Sequence, residues 1–212
     1  TRRSVSIDRD RLAQPALVIA PRMLGAVVAS DVGGQRVAVR LTEVEAYEGL
    51  DDPASHAFRG QTNRTAVMFG PPGHLYCYFT YGMHWCANVV CGPEGVASAV
   101  LLRAGEIVEG ADVVRERRPA ARRDADLARG PARLATALGL GADTNGVDLC
   151  SPESPVRIES MPLRRRAGIV AGPRVGITVA TERAWRFWLD GDPTVSSFKP
   201  GGRKRNRTDA AH

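Results

Sequence analysis

Residues 74–91 read HLYCYFTYGMHWCANVVC, and the fold turns on how this stretch is read. Aromatic and β-branched residues dominate it, which predicts strands broken near Gly82. VASAVLLR at 96–103 predicts another strand. Upstream, RVAVRLTEVEAY at 36–47 alternates. Val37, Val39, Leu41, Glu43, Glu45 and Tyr47 share one parity, predicting a strand whose apolar face is extended by two carboxylates. Late strands are expected over 175–180 and 184–189. Residues 11–28 read as a helix interrupted by Pro15 and Pro21. Asp51-Asp52-Pro53 reads as a helix start, and 105–118 as a short helix. PARLATALGL, entered at Gly130-Pro131, reads as a helix closed by Gly141. Residues 60–73 are expected as loop, 116–129 as a charged, solvated linker, and 151–173 as loop with short strands. Regular βαβ alternation is lacking, so the mixture predicts an α+β fold in a single domain.

Composition agrees with that class. The chain has 212 residues, 43% hydrophobic and 25% charged. This is enough to bury a core unaided by metal or disulfide staples. It excludes a disordered chain, a collagen and a coiled coil. No run of eighteen apolar residues occurs, which excludes a membrane-spanning helix. The polar start, TRRSVSIDRDRLAQ, has no apolar signal core, so a cytoplasmic location is expected. The organisation reads as a polar arm at 1–11, a domain at 12–198 and a basic, disordered tail at 199–212.

Net charge is +6, of which the last fourteen residues supply four. A basic chain suggests a polyanionic partner, although a local tail weakens that inference. Lysine occurs only at 199 and 204, and the other 27 basic residues are arginine. The body of the domain therefore offers no lysine as a Schiff-base nucleophile. Cys77, Cys86, Cys91 and Cys150 lack C-x-x-C spacing and read as reduced, buried thiols. Together with His74 and His84 they also lack a zinc signature, so no metal is expected.

All four tyrosines (47, 76, 78, 81) and three of four histidines (56, 74, 84) fall within 47–84. Such crowding suggests a stacking surface for flat rings such as nucleobases. Tyr76 alternates with core residues and reads as buried sheet. Glu43 and Glu45 are candidates for acid–base work if partly desolvated. Arg103 ends the 96–103 strand, where an ordinary arginine facing water is as good a reading as a functional one. Asn88, if buried, needs hydrogen-bond partners.

The order E-A-Y (45–47), D-x-x-x-H (52–56), M-F-x-x-P-G-x-L-Y-x-Y-x-x-Y-G-M (68–83), Asn88 and V-L-L-R-A (100–104) resembles the alkyladenine, or methylpurine, DNA glycosylases. GPARLATALGL and PRVGITVATERAWRFWLDGDPTVS resemble the family's later segments, so the likeness covers about 12–198. It implies a curved, mainly antiparallel sheet flanked by helices. It implies excision of alkylated or deaminated purines from double-stranded DNA, without cofactor or lyase step, by a monomer acting on the bacterial nucleoid. By the resemblance Glu45 is the general base. Arg103 and the backbone carbonyl of Val175 help to hold the attacking water, and Arg103 also contacts the DNA backbone. Tyr47, His56 and Tyr78 wall the flipped base, and Asn88 disfavours a 2-amino group. Tyr81 wedges the duplex with Met83 beside it. Arg64, Arg203, Lys204 and Arg205 are expected to contact DNA. Two departures stand out: His84-Trp85 beside the wedge, and Thr65-Ala66-Val67 after Arg64, where the family often has another arginine. A non-catalytic nucleic-acid-binding module and a metal-dependent hydrolase built on the Cys/His group are the competing readings.

Overall fold

The computed structural model describes residues 7–163 and 167–202. Eight strands form one sheet among them: β1 (Val27–Ser30), β2 (Val37–Glu48), β3 (Leu75–Thr80), β4 (His84–Cys91), β5 (Ser98–Glu109), β6 (Val156–Ser160), β7 (Ile169–Gly172) and β8 (Arg186–Leu189). Every pairing is antiparallel, in the order β3-β4-β5-β2-β1-β6. β8 joins the second half of β2, and β7 joins β8. Three helices complete the α+β fold: α1 (Ala16–Met23), α2 (Ala111–Arg117) and α3 (Pro131–Leu138).

The sheet separates two apolar clusters. The larger takes Ile19 and Met23 of α1, Leu134 and Leu138 of α3, and Leu75, Cys77, Ala87, Val89, Val100 and Leu102 of the strands. The smaller holds Ala57, Met68, Tyr76, Val90 and Ala99, packing the 52–70 loop on the opposite face. Tyr76 is thus buried sheet, as its alternation predicts.

The single apolar face expected along 36–47 does not survive as drawn. Val37, Val39 and Leu41 lie in the larger cluster, but so do Val44 and Ala46. Pairing with β5 slips between Leu41 and Glu43 and again between Glu43 and Val44. This irregularity switches the parity of β2 and sends the carboxylates away from the helices, as bulges do beside functional sites. Gly105 sits opposite, where a Cβ would lie 2.6 Å from the Arg40 carbonyl oxygen.

Other boundaries also move. β5 continues to Glu109 because β2 offers partners along its length, so the helix expected at 105–118 starts only at Ala111. Asp51-Asp52-Pro53 opens no helix, for Asp52 is bound by Arg174 and followed by turns. Residues 175–180 form a bent loop, not a strand, and β7 precedes them. α3 ends at Gly139, whose φ of 70° supplies the left-handed cap. Leu127 and Ala128, at the end of the expected linker, are buried.

The expected arm is docked where it is described. Ile7 joins the core, and Arg9 donates to the Pro72 carbonyl and pairs with Asp148 at 2.6 Å. At the other end the Gly176 N–H donates to the Lys199 carbonyl at 3.1 Å. Residues 1–6 and the remaining tail, with Arg203, Lys204 and Arg205, lie outside the described residues. No described helix is long and apolar enough to cross a membrane.

Candidate active site

Because β2 switches parity, Glu43 and Glu45 emerge on the face of the smaller cluster, both at 0% exposure. Burying two carboxylates two positions apart on one strand demands compensation, and two arginines supply it. Arg103 sits within β5 and is buried, so it is not a strand-end residue facing water. It gives Nε to Glu43 at 2.7 Å, while its Nη1 lies 3.3 Å from Glu45. Arg186 on β8 also donates to Glu43, at 2.8 Å. Ser196 adds its backbone N–H at 2.7 Å and its hydroxyl at 2.9 Å. Burial pushes the Glu43 carboxyl up, but Arg103, Arg186 and the Ser196 N–H outweigh it and hold the group below the usual carboxylate range.

Glu45 is held differently. Its Oε1 accepts the Val175 N–H at 2.7 Å, and its Oε2 accepts the Tyr47 hydroxyl at 2.9 Å. Arg103 adds its charge 3.3 Å from Oε1, and Oε2 has a second lone pair beyond the one that faces Tyr47. That lone pair remains for a further donor. Burial and the Glu45 charge together push the Tyr47 hydroxyl well above its usual range, so it stays a donor.

A cavity of about 410 Å³ opens beside these groups. Tyr47, His56 and Tyr78 line it with Tyr76, Asn88, Arg103 and Val175. β3 sets Tyr76 and Tyr78 two residues apart on one face, 5.7 Å between centroids. His56 meets Tyr78 edge-on at 4.5 Å, and its Nδ1 lies 3.2 Å from the Tyr76 hydroxyl. Part of the imidazole reaches solvent, but its burial among these rings and the nearby Arg64 push its pKa down to about 4. The ring is neutral at pH 7. Asn88 is buried and donates Nδ2 to the Tyr76 carbonyl at 3.2 Å.

The β3–β4 hairpin projects from the cavity rim. Tyr81 is 81% exposed and Met83 69%. Tyr81 adopts φ 51° beside Gly82 at 66°, closed by the Met83 N–H to the Thr80 carbonyl. A bulky residue in the left-handed region costs about 1–3 kcal/mol, so the fold holds this ring outward at a cost. Arg64 is exposed, its guanidinium 5.7 Å from the Tyr78 ring centroid. Thr65 is buried in a turn, bonded to Thr62, so Arg64 has no arginine beside it there.

The model of the methylpurine-DNA glycosylase family matches residues 10–193. The chain belongs to the methylpurine-DNA glycosylase family. A relative from Streptomyces avermitilis, provisionally named 3-methyladenine DNA glycosylase, is 51% identical over 95% of this chain and 96% of its own. One from Nocardia farcinica with the same provisional name is 56% identical over 85% of both chains. One from Mycobacterium leprae, also so named, is 46% identical over 92% of this chain and 90% of its own.

Of the positions singled out by likeness to methylpurine-DNA glycosylases, Tyr47, His56, Tyr78, Asn88, Arg103 and Val175 line one cavity, and Glu45 lies behind them, bonded to Tyr47 and Val175. Tyr81 stands at the cavity rim, and Met83 beside it on the hairpin. The Val175 N–H donates to Glu45. The sequence reading missed Met68, Leu101, Pro131 and Ala132 in the lining, which are apolar and carry no chemical signal. It also missed Asp52, Arg174, Arg186 and Ser196. Among the described residues no cluster of three or more His, Cys, Asp or Glu side chains is placed to hold a metal ion.

Proposed function

We propose that this protein is a monofunctional DNA glycosylase that removes alkylated or deaminated purines from double-stranded DNA. The observation that carries the reading is a buried carboxylate, Glu45, fixed by two hydrogen-bond donors and an arginine beside an aromatic cavity of about 410 Å³. C1′ is shielded in a duplex, so the target nucleotide must be extruded, at a few kcal/mol of unstacking. Tyr47, His56 and Tyr78 then stack the purine. A neutral His56 does not repel a cationic methylated ring, which π faces attract. Asn88 selects against a 2-amino group, and Arg64 contacts the DNA backbone beside the pocket.

The reaction follows from the remaining lone-pair site on Glu45 Oε2. A water there gives its proton to the carboxylate as its oxygen bonds to C1′. The glycosidic C–N bond breaks and the purine leaves with the electron pair. The developing oxocarbenium charge is stabilised by the same carboxylate. Water enters opposite the base, so C1′ inverts. Arg103 and Val175 keep Glu45 in place by charge and hydrogen bonding.

The test is a duplex carrying one alkylated adenine, incubated with chelator. Release of the free base, leaving an intact abasic strand, is expected. Lys199 is the one lysine among the described residues, and the bond that ties it to Gly176 is made by its backbone carbonyl, not its amine. Without a preorganised amine, C1′ attack by the protein loses most of its rate. Borohydride should trap no protein–DNA adduct. No release would leave a binding module, release only with added metal a metal-dependent hydrolase, and a stoichiometric adduct would move the protein to the bifunctional class.

Tyr81→Ala should weaken binding to a paired lesion more than to a lesion already unpaired. A wedge acts on the flipping equilibrium, so its value shrinks when unpairing is free. Equal losses on both duplexes would remove Tyr81 from that role.

A further inference from the structure

One fully buried ion pair lies next to the site without taking part in the chemistry above. Arg174 and Asp52 face each other with both side chains at 0% exposure. Arg174 grips both Asp52 oxygens and donates Nη1 to the Ala46 carbonyl at 3.0 Å. Its guanidinium lies 4.5 Å from the Tyr47 ring centroid and 5.0 Å from that of Trp185. Its Nε is buried with no partner.

Stability alone is a poor reason for this arrangement. A buried ion pair is often matched by apolar side chains of the same volume, and an unpartnered buried N–H carries a desolvation penalty. The connections say more. Ala46 lies between Glu45 and Tyr47. The next residue after Arg174 is Val175, whose N–H holds Glu45. Asp52 also accepts the Ala54 N–H at 3.2 Å and so anchors the turn that presents His56. One guanidinium therefore ties the carboxylate's strand, the loop that restrains the carboxylate, one wall and the turn carrying another. An apolar pair would fill the space without fixing these four parts in register.

We infer that Arg174, gripped by Asp52, is a positioning residue that sets Glu45 for base excision. The inference rests on the function proposed above. Lysine at 174 keeps the charge but loses the fork and the planar stack.

The test compares Arg174→Lys and Asp52→Asn with the native chain on the same lesion duplex, in single turnover at saturating enzyme. Displacement of a reacting group by about 1 Å costs on the order of 10²-fold, so falls of about 10–100-fold are expected. Dissociation constants for the lesion duplex should stay within about threefold, since the charge of the DNA-facing surface is unchanged. In a Glu45→Gln background the same substitutions should change the residual rate by less than about threefold, because the group they position is gone. Where a single variant folds poorly, the pair Asp52→Asn with Arg174→Met removes both charges of the buried pair, leaves the partly exposed Arg183 its contact with Glu182, and should fold, still with the lowered rate. Unchanged rates, a loss confined to DNA affinity, or equal rate losses in both backgrounds would overturn the inference. Glu45→Gln separates the two claims: if it alone stays active, the general-base reading fails first.

Discussion

Glu45→Gln should bind lesion duplex with nearly native affinity and lose base excision. Removing a general base costs about 10²–10⁴-fold, and loss of the charge facing the oxocarbenium adds to this. The substitution suits the site sterically. A glutamine oxygen can keep the Val175 N–H, and its NH₂ can face the Tyr47 hydroxyl, which rotates to accept. Arg103 retains Glu43. Fold and pocket should therefore persist, and thermal melting with single-turnover kinetics would separate chemistry from structure. Near-native excision would transfer attention to Glu43.

Glu43→Gln should act mainly on stability. Glu43 is the shared partner of Arg103 and Arg186. Removing its charge leaves Arg103 with Glu45 alone and takes from Arg186 its carboxylate partner. Breaking a buried pair typically costs about 3–5 kcal/mol, equivalent to a fall in Tm of about 6–20 °C for a domain of this size. The acid side should also change. The folded Glu43 titrates below its ordinary value of 4.5. Its contribution is therefore complete above that value and is lost as pH falls through the lower folded one. Urea melts of native and variant proteins should differ most at neutral pH and converge at acid pH. A constant difference across that range would show that Glu43 owes nothing to its charge.

What could be read from the sequence, and what could not, divides along physical lines. The β3–β4 hairpin was legible because aromatic and β-branched residues cluster around Gly82, and the tyrosines of β3 keep a period of two. The site residues around Glu45 were legible through the spaced motif. The parity of β2 was not, because a register slip depends on what β5 offers across the strand, and local alternation carries no trace of it. The same holds for β5, whose last six residues follow their partner rather than their own propensity. Asp52 resembled a helix cap because aspartate before proline often is one. Its actual partner, Arg174, lies 122 positions away. Charge partners at that distance leave no local pattern, and neither did the roles of Arg186 and Ser196.

The four cysteines, three of them buried and Cys150 half-buried, have a chemical consequence. Reagents that methylate purines also attack sulfur, and the reactive form of sulfur is the thiolate. Burial pushes Cys77 and Cys150 up to about 11 and raises Cys86 and Cys91 as well. At neutral pH a thiol of pKa about 11 is ionised to the extent of about one part in ten thousand. Cys86 lines the cavity itself, two strand positions from Asn88. A sulfur there, protonated and sheltered, gives the pocket polarisable apolar surface without offering a nucleophile. A repair enzyme built this way can remain intact amid the electrophiles that create its substrate.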